Sequence, residues 1–276
     1  MISPAWFRDA AWLLGAGAFA GVSARWNWWR PKARGLAVLM YHKIGQYPEG
    51  SQLQNLWVTA EEFRWQMEYL NRYGYTTLLF RELAEIYEGK RPMPEKPALV
   101  TFDDGYANNY EIAFPILRET GTKGNIYLVY ETIDHHNSWH DPESEPWVRM
   151  LTWKQVLEMQ ESGIVDFGSH TMRHRNLAQI PLEEVRWELS ESKKRLEEKL
   201  GRPIPAFAYP YGAGAYVPEV RKAALEAGYL FDFGIKQGYA PWPWTPESGP
   251  IKRLYIRGDD NRFDFHLQMT RGKSRF

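Results

Sequence analysis

The chain has 276 residues, which suits one large domain or two small ones and is long enough to bury a sizeable core. Its 34 basic and 34 acidic residues cancel, so there is no electrostatic footprint for nucleic acid. It has no cysteine, which excludes disulfides, thiolate metal sites and cysteine nucleophiles; any metal must be held by His, Asp or Glu.

Aromatic residues make up 15% of the chain, with 13 Trp and 16 Tyr. Most belong in core and rim packing, and the excess also suits stacking on the flat faces of sugars. At the N-terminus, residues 10–24 (AAWLLGAGAFAGVSA) carry no charge. The stretch is short of the roughly 20 apolar residues a membrane span needs. It reads as a signal-peptide core closed by Val22-Ser23-Ala24, or as an uncleaved anchor held by the basic, Trp-rich flank that follows; an ordinary N-terminal helix is the alternative. Residues 1–34 are therefore set apart as apolar segment and linker, and 35–276 as one folded domain. The corresponding location is exported or anchored and facing the cell envelope, with membrane association through residues 10–24.

Residues 36–42 (LAVLMYH) form a short apolar strand of the buried type. A capping box at 59–62 opens a helix to about Tyr73, with Phe63, Met67 and Leu70 on one face. Strand 75–80, a helix ending at Gly89 and strand 98–104 follow, then a helix over 108–119 and strand 124–130. Residues 131–150 make a long polar loop, and such loops inside compact domains are often functional. Thr152 caps a helix to about Ser162. Then come strand 165–170, a charged amphipathic helix over 181–200, strand 206–212, a helix over 218–227, and strands 229–234 and 252–258. Strand and helix alternate throughout, which is the signature of a parallel α/β domain, and about eight strands in this length favour a β/α barrel. Functional groups are then expected where strands end.

Four strand ends carry polar groups: Tyr41-His42, Asp103-Asp104-Gly105, Ser169-His170 with His174 four residues on, and Tyr209-Pro210-Tyr211-Gly212. Neighbouring residues of a strand point to opposite faces, so a turn at Gly105 is needed to bring both acids to one site. One could then hold a cation and the other act as a base; capping of the next helix is the competing role. His170 and His174 form H-x-x-x-H, which can place two imidazoles on one first-row cation. Two His and one carboxylate with open positions is a catalytic type of metal site.

The set TFDDG (101–105), HTMRH (170–174) and FAYPYG (207–212), in that order and spacing, resembles the polysaccharide deacetylase family, the NodB-homology domain of carbohydrate esterase family 4. The opening VLMYHKIG resembles the branch that acts on poly-N-acetylglucosamine. The likeness covers roughly residues 36–258. It implies a distorted (β/α)7-type barrel and metal-dependent removal of N-acetyl groups from a glycan substrate. It also implies Asp103 as general base and Asp104, His170 and His174 as ligands of one divalent ion, Zn²⁺ with Co²⁺ or Ni²⁺ as alternatives. Tyr211 would donate its backbone N–H to the oxyanion.

Two family features are absent. The last strand, KRLYIRG, lacks the Leu-x-His histidine, and Ala208 stands where an arginine paired with the base is usual. Arg253 or Arg257 could supply that charge. First and last strands of a barrel are neighbours, so His42 is expected to fill the vacancy as general acid; orienting Asp103 is its alternative role. Asp232 is a candidate for the fourth family motif or a buried structural acid. His135, His136 and His140 read as a solvated loop facing substrate, and a second metal site is the other reading. Trp139, Trp147, Trp242 and Trp244 are candidates for sugar stacking. The competing functions are hydrolysis of another amide or ester, such as acetyl-xylan or a small cyclic amide, and glycan binding without catalysis.

Overall fold

The computed structural model describes residues 11–17, 21, 23, 25, 26 and 28–275. Seven parallel strands close into a barrel: β1 (Ala37–Tyr41), β5 (Pro97–Phe102), β6 (Gly124–Leu128), β7 (Val165–Ser169), β8 (Ala206–Ala208), β9 (Phe231–Gln237) and β10 (Ile251–Tyr255). The ring closes where β1 pairs with β10 on one side and β5 on the other. The eighth strand of the sheet, β4 (Thr76–Thr77), stays outside the ring. It pairs with the first half of β5, while β6 pairs with the second half. Two further strands, β2 (Lys43–Ile44) and β3 (Trp57–Val58), make a separate parallel pair.

The Asn125 side chain repairs the distortion that β4 introduces. It is fully buried, accepts from the Phe80 N–H at 2.8 Å and donates to the carbonyls of Leu78 at 3.0 Å and Val100 at 3.3 Å. Those backbone groups lie where the β4 ladder stops, so a side chain replaces the missing strand bonds.

Helices α1 (Ala60–Arg72), α2 (Phe80–Tyr87), α3 (Phe114–Thr120), α4 (Trp153–Glu161), α5 (Leu182–Leu200), α6 (Pro218–Glu226) and α7 (Arg262–Arg271) surround the ring. Their boundaries follow local chemistry. Thr59 accepts from the Glu62 N–H at the start of α1, Thr152 and Gln155 form a reciprocal cap on α4, and Gly201 ends α5 in the left-handed region. Residues 75–80 were expected as one strand, yet only two pair, because Glu82 reaches back to the Leu79 N–H and opens α2 at Phe80. Likewise β8 stops at Ala208, and Pro210–Gly212 make a 3₁₀ turn. Helix α7 was not anticipated, although Asn261 and Asp264 form a capping box and Gly272 a left-handed stop.

Strand alternation divides the core in two. Leu39, Val100, Phe167, Phe207 and Leu254 face the helices with Phe63, Leu117 and Leu189. Val38, Leu99, Tyr127, Phe231 and Phe233 fill the barrel, which α2 and Trp244 help to close at the strands' N-terminal end.

Of the apolar segment 10–24, residues 10, 18–20, 22 and 24 lie outside the described residues, and residues 11–17 are helical. Among the described residues no helix is long and apolar enough to cross a membrane. Arg25 and Trp26 dock on the buried Asp264 of α7 at 3.0–3.3 Å.

Asn125→Ala leaves a buried N–H and two carbonyls without their side-chain partner and should lower stability by about 2–4 kcal/mol; urea unfolding of parent and variant measures it.

Candidate active site

The residues that point into the barrel on β1 have even numbers, and on β5 odd ones, so His42 and Asp103 continue these inward rows past the last ladder pair. The inward row of β7 leads to His170, and Arg253 is an inward residue of β10. Four strands thus deliver four polar groups to one mouth. Asp104 would face outward, but its φ of +76° turns it back beside Asp103. Gly105 follows at φ +85°, where a Cβ would meet Leu128 Cδ2 at 2.9 Å. Neither carboxylate caps the next helix, whose N-cap position is Asn108.

Arg253 has no solvent exposure and grips Asp103 in a bidentate pair at 2.6 and 2.9 Å, while its Nε donates to the Gly234 carbonyl. Burial works to raise the Asp103 carboxyl, but Arg253, His170 and His42 outweigh it and hold the group below its ordinary value. His42 Nε2 lies 4.0 Å from Oδ2 of this carboxylate. Burial lowers the His42 pKa, against the pull of Asp103 and Asp104.

Asp104 Oδ1 lies 3.2 Å from both His170 Nε2 and His174 Nε2. His170 Nδ1 is 2.8 Å from the Ala208 carbonyl, which can only accept, so Nδ1 carries the proton and Nε2 presents a lone pair. Ligand atoms from the three residues converge within 4.8 Å of one another, all buried. Such a set repels itself unless a cation lies among it, and two imidazoles with one carboxylate is a donor set for a first-row divalent ion. Burial again opposes the charge on Asp104, and the two histidines still hold its carboxyl well below the usual range. Burial lowers His174.

The turns that shape the site are conformationally expensive. Asp104, Thr171, His174 and Tyr211 all have φ between +57° and +76°. Among the described residues only Asp134 shares this region without being glycine. Strain gathered in this way marks a functional site.

These groups line a cavity of about 280 Å³, with Met40, Leu53, Leu56, Tyr106 and Ile235 as its apolar walls. Trp139 lines it too and stacks on His174 at 4.1 Å, and Tyr211 meets the same imidazole edge-on at 4.6 Å. A polar groove holding Ser138, Arg173, Asn176 and Gln179 shares Trp139, His174 and Tyr211 with the cavity.

Not every candidate comes to this mouth. Trp244 is 1% exposed and packs on Phe231 and Tyr87 in the barrel core, and Trp242 packs against that same cluster. Trp244 is a core residue and Trp242 is half-buried against it, and neither lines the cavity. Trp147 is half exposed and stacks on His136, while His140 lines the cavity. Asp232 faces outward into an ion pair with Arg221 and a bond from Tyr209, which is a structural role. Arg257 pairs with Asp259 and does not reach Asp103. The cavity residues Leu53, Leu56, Tyr106 and Ile235 were not singled out by sequence. Leu53 and Leu56 come from an irregular segment, and Glu145 ties that segment to the long loop by accepting from Ser51, Gln52 and Leu53 at 2.7–3.3 Å.

Known proteins share both the sequence and the architecture. YxkH of Bacillus subtilis is 32% identical over 205 residues, which are 74% of this chain and 66% of that protein. The poly-beta-1,6-N-acetyl-D-glucosamine N-deacetylase of Escherichia coli is 28% identical, covering 85% of this chain and 38% of that one. The chain thus spans about two thirds of one curated relative and little more than a third of the other. The crystal structure of a polysaccharide deacetylase from Bacillus cereus superposes with a TM-score of 0.71 at 28% identity, over 86% of this chain and 69% of that one. The family profile described as polysaccharide deacetylase matches residues 90–231, just over half the chain, from β5 to the start of β9 and through the Asp103-Asp104, His170–His174 and Pro210-Tyr211 segments. The chain belongs to the polysaccharide deacetylase family.

Proposed function

We propose that this chain is a metal-dependent hydrolase that removes N-acetyl groups from a polysaccharide containing N-acetylglucosamine. One observation carries the reading: a buried, arginine-paired carboxylate stands beside a second carboxylate bound to two histidines, in a single cavity. The name of the Escherichia coli relative supports an N-acetylglucosamine polymer as substrate.

Asp104, His170 and His174 would hold one divalent ion, Zn²⁺ for preference, with Co²⁺ or Ni²⁺ as alternatives. When bound, such an ion polarises a carbonyl and eases deprotonation of water. Asp103 is the general base, and its pairing with Arg253 keeps it ionised and fixes which oxygen faces the cavity. The Tyr211 backbone N–H stabilises the oxyanion as the carbonyl carbon becomes tetrahedral. His42 donates a proton to the departing amine nitrogen; its Nε2 lies 4.0 Å from Asp103, so acid and base are adjacent. The apolar walls exclude bulk water from these transfers, and Trp139 offers a sugar-stacking face at the mouth.

For location, we place the enzyme at the cell envelope, exported or held there by residues 10–24. Trp12, Leu13 and Leu14 are each 75% exposed on the N-terminal helix, an apolar surface suited to a bilayer interface.

Metal-free protein given back Zn²⁺, Co²⁺ or Ni²⁺ should release acetate from N-acetylglucosamine oligomers, and chelation should stop it. No acetate from any such glycan counts against the reading. Asp103→Asn and His42→Ala should each lower kcat by about 10²–10⁴-fold with the metal still bound. His42→Ala should also flatten the alkaline limb of the pH–kcat profile, because a general acid works only while protonated. Near-normal turnover in either variant removes that residue from the mechanism. Deleting residues 1–24 should move the protein from the envelope fraction to the cytosol in cell fractionation, and an unchanged distribution would refute the anchoring role.

A further inference from the structure

Glu188, on α5, is fully buried and lies outside the cavity wall. Its Oε2 accepts two backbone N–H groups, from Met172 at 2.9 Å and Arg173 at 3.0 Å. These are the middle residues of the turn that carries His170 and His174. Each remaining N–H of the turn is also satisfied. His170 N–H donates to the Leu128 carbonyl, Thr171 N–H to Ser169 Oγ and His174 N–H to Thr171 Oγ1. The Thr171 and Met172 carbonyls accept from Tyr130 and Glu131. The turn needs this support because Thr171 and His174 sit at φ +73° and +58°. Neither would hold that conformation in an unrestrained loop.

Glu188 is the one member of this set contributed by a helix beneath the turn. The Thr171 side chain, which accepts from the His174 N–H, also has the Glu188 carboxylate as a hydrogen-bond partner. Neighbouring groups pin the turn from the side. The Arg173 guanidinium lies 4.4 Å from the Trp187 ring centroid and bonds both oxygens of Glu131.

We propose that Glu188 is the positioning residue of the metal centre: by holding the Met172 and Arg173 amides it sets the separation and orientation of the two imidazoles. It touches neither substrate nor metal. The inference rests on the metal reading above, but its readout is ion affinity and not turnover.

The test is calorimetric titration of Zn²⁺ into metal-free full-length parent, Glu188→Ala, Glu188→Gln and Glu188→Asp, each with a thermal melt. Loss of a direct partner of a metal-binding histidine costs roughly 10–100-fold in affinity; Glu188 acts one step further out, through the turn's amides, and Glu188→Ala is expected to cost about 10-fold, the lower end of that range. Glu188→Gln keeps an acceptor oxygen at the same reach and should bind more tightly than Glu188→Asp, which keeps the charge but withdraws the acceptor. If Glu188→Ala does not fold, the Gln and Asp variants decide. A variant with a lower melting temperature and an unchanged Zn²⁺ Kd, or an Asp variant that binds as the parent does, overturns the proposal in favour of a purely structural carboxylate. A parent that binds no divalent ion overturns the metal reading and this one with it. A parent that binds Zn²⁺ but releases no acetate leaves Glu188 as argued and removes the deacetylase reading alone.

Discussion

A carboxylate can remain charged inside a protein only if something replaces the water it has lost, and the pair between Asp103 and Arg253 meets that need here. Breaking a buried pair of this kind costs about 3–5 kcal/mol, because the surviving charge is left uncompensated. Its two halves come from strands 150 positions apart in the chain. They meet only if the ring closes in the observed register, with β10 against β1 and β1 against β5. Closure of the barrel and ionisation of Asp103 are therefore one requirement. Around this pair stand the other groups: Asp104 lies 3.2 Å from both histidines, and His42 lies 4.0 Å from Asp103.

A second constraint is local. Period-two alternation supplies only one inward residue per strand end, and the site needs more. The chain obtains them by bending back at Asp104, His174 and Tyr211, each in a left-handed conformation. Every such bend is disfavoured by itself and is held by its surroundings. Gly105 leaves room for Leu128, and every backbone N–H of the histidine turn from His170 to His174 has a partner. The site is accordingly rigid around Asp104, His174 and Tyr211. The walls made by Leu53, Leu56, Trp139 and His140 come instead from long connections, tied together by Glu145. That division suits fixed chemistry with an adjustable choice of substrate.

Much of this was legible in the sequence, and the reason is physical. Asp103-Asp104, His170, His174 and Tyr211 sit at strand ends, where hydrophobic runs announce the strand and the polar residue that follows announces the mouth. The alternation of elements gave the barrel for the same reason. What was hidden depended on contacts between distant segments. Arg253 and Arg257 look alike in sequence, and what separates them is where the strand stops: Arg253 is an inward residue of β10, while Arg257 lies past its end at Tyr255 and pairs with Asp259. Trp242 and Trp244 carry the right chemistry for sugars but pack against or within the core, which no local pattern reveals. The short β4 was overestimated because apolar character continues past its last ladder bond into α2. Helix α7 was overlooked although its cap and stop signals were present, because its apolar positions are interrupted by charged and polar residues.

The place of Arg253 has a consequence for the order in which the molecule matures. Ribosomes release the chain from its N-terminus, so both acids and both histidines exist well before β10 has been made. Until that strand inserts between β1 and β9, the barrel is open and Asp103 faces solvent with no cation against it. The last strand is thus both the keystone of the architecture and the step that completes the site, and an interrupted chain carries every motif residue without the environment that gives them their properties.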